Sequence, residues 1–180
     1  MPLSIRKAQI DDSAHIARVQ VDSYRVAYAD FFPPEYLAHF TYEEQTQDWR
    51  DLLSSNSDDA LYIAEDADGE IVGYALGQPG ASAIPPYDSE LVALHVCRAY
   101  QEQGIGRQLV QAIARQLQQQ GCTALMLWVL KPNPARAFYE RLGGQWLGEQ
   151  TIELGETITA VEVAYGWPDI GSLLPADRVF

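Results

Sequence analysis

Residues 91–109, LVALHVCRAYQEQGIGRQL, pass from an apolar strand pattern through a polar turn with two glycines into an amphipathic helix pattern. The sub-motif Gln101-Glu102-Gln103-Gly104-Ile105-Gly106 sits at the junction. Glycines there let the backbone bend tightly and come close to a ligand, because no Cβ stands in the way. The helix that follows offers unpaired N–H groups and the positive end of its dipole, which together favour a phosphate group. We read the junction as a pyrophosphate cradle.

The same two patterns alternate along the rest of the chain. Residues 4–7 form a short strand, ending where Asp11 or Asp12 can cap a helix over 13–28. Its apolar positions Ile16, Val19, Val21, Tyr24 and Ala27 recur at helical spacing. Pro33-Pro34 stops that helix, and Pro34 can open a short one through Leu37 and Phe40. Thr41 and Glu44 have the spacing of a capping box for a helix reaching about Leu53. Strands over 61–64 and 71–76 flank the turn Glu65-Asp66-Ala67-Asp68-Gly69-Glu70, where Asp-Gly signals a hairpin. A Pro/Gly-rich loop over 78–88 leads to a strand over 90–96. The helix over 104–120 places Leu109, Ile113 and Leu117 on its core side, and Gly121 ends it. The apolar run 124–130 reads as a strand buried on both faces. A short helix over 134–142, closed by Gly143-Gly144, precedes a hairpin of strands 146–153 and 157–165 around Leu154-Gly155-Glu156. The tail, 167–180, has no clear pattern. With no repeat, low-complexity run or linker, 180 residues are expected to form one mixed α/β domain with its core over about 4–166.

Composition narrows the function classes. Hydrophobic residues at 47% and charged residues at 21% describe an ordinary soluble globular chain. No apolar run approaches the ~20 residues that cross a bilayer. The opening MPLSIRKAQIDD lacks the apolar core of a signal peptide, so a cytoplasmic protein is expected. A net charge of −13 argues against nucleic-acid binding and suits cationic small molecules, although solubility alone would also account for it. Cys97 and Cys122 make neither a disulfide framework nor a metal-ligand set; reduced packing thiols are expected.

The turn is not a dinucleotide fingerprint, since GxGxxG would need glycine where Leu109 stands, and no GxxxxGK[ST] is present. Alone it divides between a phosphate site and a structural bend. A second segment, Asn133-Pro134-Ala135-Arg136-Ala137-Phe138-Tyr139-Glu140-Arg141-Leu142-Gly143-Gly144, follows the apolar run. Together the two segments resemble the GNAT superfamily of N-acetyltransferases, which use acetyl-CoA. The cofactor motif [Q/R]-x-x-G-x-[G/A] is met at Gln101, Gly104 and Gly106. The downstream pattern N-x-x-A-x-x-F-Y-x-x-x-G is met at Ala135, Phe138, Tyr139 and Gly143. Asn133 departs, lying two residues before the alanine where the pattern has three. The strand with Arg6 and the IDDSAHIARV that follows also resemble the family, so the likeness covers most of 5–165.

The resemblance implies an α/β (α+β) fold, with a mixed, mostly antiparallel sheet of about seven strands flanked by helices. Acetyl-CoA would lie in a splayed gap between strands 90–96 and 124–130, with no metal. Main-chain N–H groups of Gln103, Gly104, Ile105, Gly106 and Arg107 would hold the pyrophosphate, in a turn that Gln101 and Glu102 complete. Main chain around Leu94 and Val96 would pair with the pantetheine arm as an added strand does. Asn133 is a further cofactor contact in the pattern; Arg98 and Arg136 meet the nucleotide end or are surface charges.

Tyr139 matches the family's general acid toward the CoA sulfur, and a phenol near pH 7 keeps its proton to donate. It reads equally as an aromatic closing the short helix. Glu90 is the candidate base, often acting through water in relatives, against the reading of an ordinary strand-end glutamate. His95, with a near-neutral intrinsic pKa, comes second because strand alternation turns it away from Leu94 and Val96. His15 and His39 read as structural or exposed. The aromatic residues of 24–42, beside Asp30 and Glu35, would wall an amine acceptor or simply pack a core.

The reaction expected is direct acetyl transfer to a primary amine of a small molecule or peptide. A covalent route through Cys97 would require a depressed thiol pKa. Similar proteins are commonly homodimers. Two other classes stay open: a non-catalytic acyl-CoA-binding regulatory module, and a small partner-binding domain in which the glycine turn is only structural.

Overall fold

Strand and helix patterns resolve in the computed structural model, which describes residues 3–80, 82, 84–154 and 158–175. In chain order the elements are β1 (Ser4–Lys7), α1 (Ser13–Ala27), α2 (Pro34–Ala38), α3 (Tyr42–Ser54), β2 (Ala60–Glu65), β3 (Ile71–Pro79) and β4 (Ser89–Val96). They continue as α4 (Ile105–Gln119), β5 (Leu125–Leu130), α5 (Arg136–Arg141), β6 (Gln145–Leu154) and β7 (Ile158–Trp167). The strands form one mixed, mostly antiparallel seven-stranded sheet in the order β1-β2-β3-β4-β5-β7-β6. The bend expected at Leu154-Gly155-Glu156 involves Gly155 and Glu156, which lie outside the described residues. So do Thr157, Ala81, Ala83, Met1-Pro2 and the last five residues of the tail.

Contacts along the chain group into two compact units, and β3, β4 and α4 each contribute residues to both. The first comprises the chain up to Leu76 together with Ala93–Leu109. Here β1 pairs antiparallel with β2, Arg6 opposite Ile63. Ile16, Ala17 and Val19 of α1 pack with Trp49, Leu61, Ile63, Ile71, Tyr74 and Leu76 in one apolar cluster. Trp49 Nε1 donates to Gln20 Oε1 at 2.6 Å, so the indole is buried with its N–H satisfied.

Asp12 does stand before α1, but its side chain makes no capping bond to that helix. It accepts from the Arg6 guanidinium at 2.7 and 2.9 Å and from the Gln9 N–H at 2.7 Å. The hydrogen bond from Arg6 holds the Asp12 carboxyl below its ordinary range against the opposing effect of burial. The charge-assisted fork and the Gln9 N–H together engage both oxygens, leaving neither for the first turn of α1. Thr41 caps α3 as its spacing predicts, accepting from the Glu44 N–H at 3.2 Å. The return bond differs: the Thr41 hydroxyl donates to the Glu44 carboxylate at 2.8 Å, while the Thr41 N–H donates to His39 O at 3.1 Å.

The second unit comprises Gly77–Val92 and the chain from Val110 onward. β5 is buried except for half-buried Trp128 and pairs antiparallel with β7, Leu127 opposite Tyr165. β7 pairs in turn with β6, with an irregularity between Trp146 and Gly148. The parallel pairing of β4 with β5 is recorded at Ser89↔Leu125 and Glu90↔Met126, and both strands run on beyond it. Asp88 fixes this junction by accepting from the Thr123 N–H at 2.8 Å and the Ala124 N–H at 2.9 Å.

Two expectations need correction here. β3 runs to Pro79, so Gln78 and Pro79 belong to a strand rather than to the expected loop. The tail is patterned at its start: Trp167 ends β7 with its Nε1 donating to Leu142 O at 2.9 Å, and Ile170–Leu173 forms a 3-10 turn whose Ile170 is buried.

Gly77 on β3 explains how closely α4 approaches. A Cβ there would lie 2.4 Å from Ile113 Cγ2 and 3.1 Å from Leu117 Cδ1, both on fully buried side chains of α4. We predict that Gly77→Val destabilises the fold by about 1–3 kcal/mol through overpacking. Urea denaturation reads this as a lower midpoint at unchanged slope.

Candidate active site

The first backbone bond of α4 runs from the Gln108 N–H to Gly104 O at 3.1 Å. The N–H groups of Ile105, Gly106 and Arg107 therefore precede the helical ladder and have no carbonyl within it. Gly104 has φ 80° and Glu102 φ 61°, so two left-handed residues bend the chain just ahead of the helix. A Cβ built on Gly104 would meet nothing within 4 Å, so the space over the bend is open. Ile105 is buried and anchors the first turn, whereas Gln101, Glu102, Gln103, Gly104 and Arg107 are exposed and Gly106 is half-buried.

The side-chain amides brace the bend from behind. Gln101 Nε2 donates to Val96 O at 3.0 Å, and Gln103 Nε2 donates to Ala99 O at 3.2 Å. Gln101 thus ties the turn to the end of β4, and Tyr100 ties it to the β2–β3 turn by donating to Asp66 at 2.7 Å. Leu94 and Val96 on β4 are half-buried.

His95 lies between aromatic rings, 5.3 Å from Tyr24 and 5.3 Å from Tyr74 between centroids. That burial pushes its pKa down to about 4, so the imidazole is uncharged at neutral pH and a weak base, which corrects its near-neutral expectation. His15 and His39 are exposed. The half-buried Cys97 thiol is pushed up by burial and by the charge of Asp22. A thiol shifted that way lacks the depressed pKa an acyl carrier requires. Cys97 and Cys122 are both free thiols.

In the second unit, Glu90 at the start of β4 is half-buried. Burial, and then the charge of Glu162, hold its carboxyl above the ordinary carboxylate range. Tyr139 on α5 is buried, and desolvation pushes its phenol up to about 12. Asn133, the departure from the family spacing, uses its Oδ1 to accept the Ala135 N–H at 2.8 Å and so organises the approach to α5. Arg136 donates to the Tyr165 hydroxyl at 3.1 Å and to Lys131 O at 2.8 Å, which makes it a structural brace. Arg98 is exposed.

Reading the sequence did not single out Tyr74 or Asp88. Asp88 carried a signal, a short acid before a strand, but its partners at Thr123 and Ala124 are 35 and 36 residues away. Among the described residues no group of three or more His, Cys, Asp or Glu could hold a metal ion, and no helix is long and apolar enough to cross a membrane.

Comparison with known proteins follows the same outline. Residues 21–144 match the acetyltransferase (GNAT) family. The uncharacterised N-acetyltransferase YuaI of Bacillus subtilis is 33% identical over 171 residues, covering 95% of this chain and 96% of that one. Among solved structures, the PaiA N-acetyltransferase of Thermoplasma acidophilum in complex with coenzyme A superposes with TM-score 0.66 at 20% identity, covering 91% of this chain and 98% of its own. The YncA putative acetyltransferase of Salmonella typhimurium, solved with acetyl-CoA, gives TM-score 0.67 at 17% identity, with 93% and 94% covered. An N-acetyltransferase of Staphylococcus aureus Mu50 gives 0.70 at 18%, with 94% and 99% covered. At these identities the structures speak for the fold alone; the family match and the Bacillus relative carry the assignment, and the chain belongs to the GNAT family of acetyltransferases.

Proposed function

We propose that this acyltransferase takes the acetyl group of acetyl-CoA and passes it directly to a primary amine of a small molecule or peptide. The observation that carries the reading is the start of α4. Unladdered N–H groups at Ile105, Gly106 and Arg107 follow a left-handed Gly104 whose Cβ direction is open. Such a bend fits a diphosphate, because each oxygen can take an N–H and the helix dipole favours the charge. Relatives of the same fold solved with coenzyme A and acetyl-CoA support the choice of cofactor.

In this reading N–H groups from Gln103 to Arg107 hold the diphosphate, and the main chain of Leu94 and Val96 pairs with the amide-bearing arm. Bound acetyl-CoA supplies an activated thioester carbonyl and a thiolate leaving group. Glu90 takes a proton from the acceptor ammonium, directly or through water, freeing the nitrogen lone pair. As the C–N bond forms and the C–S bond breaks, Tyr139 delivers its phenolic proton to the sulfur, and the second proton that the nitrogen sheds on becoming an amide restores the phenol through water. A phenol at about 12 stays protonated throughout the working range, and a carboxylate lifted by burial is a stronger base than an exposed one. Asn133 stays with the cofactor side of the proposal through its side-chain Nδ2, which donates to no partner among the described residues. Reduced Cys97 and Cys122 suit a cytoplasmic setting.

Three outcomes test this. Gly104→Asp places a negative side chain over the bend, and coenzyme A affinity measured by calorimetry should fall at least about tenfold; unchanged affinity removes the cradle. Tyr139→Phe should lower kcat by about 10²–10⁴ with the KM for acetyl-CoA maintained. For Glu90 the sign is set by its raised pKa. The base works only when ionised, so wild-type kcat/KM should drop as pH falls through a value above 4.5, the group's ordinary pKa. In Glu90→Gln that acidic limb should vanish along with most of the activity.

A further inference from the structure

The bend before α4 holds Glu102 at φ 61°, a left-handed conformation that is costly for a residue with a side chain and persists only where its surroundings fix it. Two of the fixings are local. Gln101 and Gln103 donate to Val96 O and Ala99 O, five and four residues back, so both bonds stay within the segment that leads from β4 into the bend. Tyr100 makes the third. Its hydroxyl donates at 2.7 Å to Asp66, 34 residues earlier, in the turn between β2 and β3. Among the described residues it is the one side-chain hydrogen bond that joins 98–107 to a distant part of the chain.

Asp66 is shaped to receive that hydroxyl. Its Oδ1 accepts the Asp68 N–H and the Glu70 N–H, each at 3.0 Å, while the Asp66 N–H donates to Glu70 O at 3.0 Å. Those bonds complete the turn, and asparagine, with its one carbonyl oxygen, would accept both N–H groups as well. Oδ2 is left over, and Tyr100 takes it. The bond from Tyr100, with the Glu70 and Asp68 N–H groups adding, holds the carboxyl below its ordinary range, so Asp66 is ionised at neutral pH. A fixed negative charge opposes an anion bound nearby, so to a phosphate site the charge itself is a cost. What Asp66 adds over asparagine is a charge-assisted grip on Tyr100.

We infer that Asp66 is a positioning residue of the cofactor cradle. Through Tyr100 it anchors the bend to the β2–β3 turn and keeps the N–H groups of Ile105, Gly106 and Arg107 aimed at one place. The inference rests on the reading of that bend as a diphosphate site, and it gives a residue outside the glycine motif a part in cofactor affinity. An anchor that removes slack from the free protein lowers the ordering cost of binding, so its effect falls on affinity. Asp66 strengthens binding in this way although its charge repels the ligand. The sign of its effect therefore separates anchoring from electrostatics.

The test is calorimetric titration of coenzyme A into wild type, Tyr100→Phe, Asp66→Asn and the double variant, with a melting curve of each ligand-free protein. Tyr100→Phe removes only the hydroxyl and should weaken coenzyme A about three- to tenfold. Asp66→Asn keeps the carbonyl acceptor of the turn and removes the charge. It should weaken coenzyme A at least about twofold, where loss of a repelling charge alone would tighten it. The double variant should bind no more weakly than Tyr100→Phe, because both changes break one bond. Pantetheine, which has the arm without the diphosphate, should bind wild type and Tyr100→Phe alike. Equal affinity of wild type and Tyr100→Phe for coenzyme A overturns the inference, as does unchanged or tighter binding by Asp66→Asn. Losses that add in the double variant, or a matching loss for pantetheine, overturn it too. A single variant already unfolded at the titration temperature does the same, since the bond would then serve the fold at large. If wild type binds coenzyme A and the variants match it, this inference fails alone. If wild type does not bind coenzyme A, the acetyl-CoA reading fails and takes the inference with it.

Discussion

A helix cannot satisfy its own first N–H groups, and at α4 this requirement meets a bend with no side chain over it. Ile105 and Leu109 are buried on the first turns, and Ile113 and Leu117 continue the same apolar stripe. The stripe settles which way the helix faces, and so where the unladdered N–H groups point. Gln101 and Gln103 then hold the approach by donating to Val96 O and Ala99 O rather than reaching outward. The two glutamines act as struts, and the N–H groups of Ile105, Gly106 and Arg107 stay outside the helical ladder. Backbone dipoles fixed in this way need no reorganisation when a charged group arrives, which is the property that makes a preformed anion site effective.

Burial acts on the titratable groups in one direction, toward their neutral forms. Glu90 and Tyr139 are lifted, and His95 is lowered to about 4. Those shifts divide the groups by chemistry. A lifted carboxylate gains basicity, a lifted phenol keeps a proton to give, and a lowered imidazole loses its standing as a base. Cys97 moves the same way and loses nucleophilicity.

The elements were legible where a period repeated without interruption. The strand at Ser4–Lys7 and the buried run at Leu125–Leu130 follow from local pattern, as does the α4 stripe of Leu109, Ile113 and Leu117. Legibility failed where one residue carried two meanings. Pro79 reads as a loop because it has no N–H, yet it ends β3. Asp12 reads as a cap, yet Arg6 takes its oxygens across a packing contact that spacing alone does not reveal. Trp167 and Ile170 follow no period, and each is tied to a carbonyl far away in sequence: Trp167 Nε1 donates to Leu142 O and the Ile170 N–H to Thr123 O. The bend at Gly104 was readable because glycine at a positive φ is a local demand. The condition of His95 and Tyr74 was not, because burial is a collective property of α1, α2, α3, β3 and β4.

Tyr74, whose Oη has no hydrogen-bond partner among the described residues, is best weighed against the other polar aromatics of this fold. Tyr165 is as deeply buried, but its hydroxyl donates to Glu140 at 2.5 Å and accepts from Arg136 at 3.1 Å. The indoles of Trp49 and Trp167 are buried too, and each N–H finds an oxygen, at 2.6 and 2.9 Å. The difference lies in the surroundings. Tyr165 sits among charged side chains that reach it, whereas Tyr74 packs against the rings of Trp49 and His95, with centroids 5.2 and 5.3 Å away.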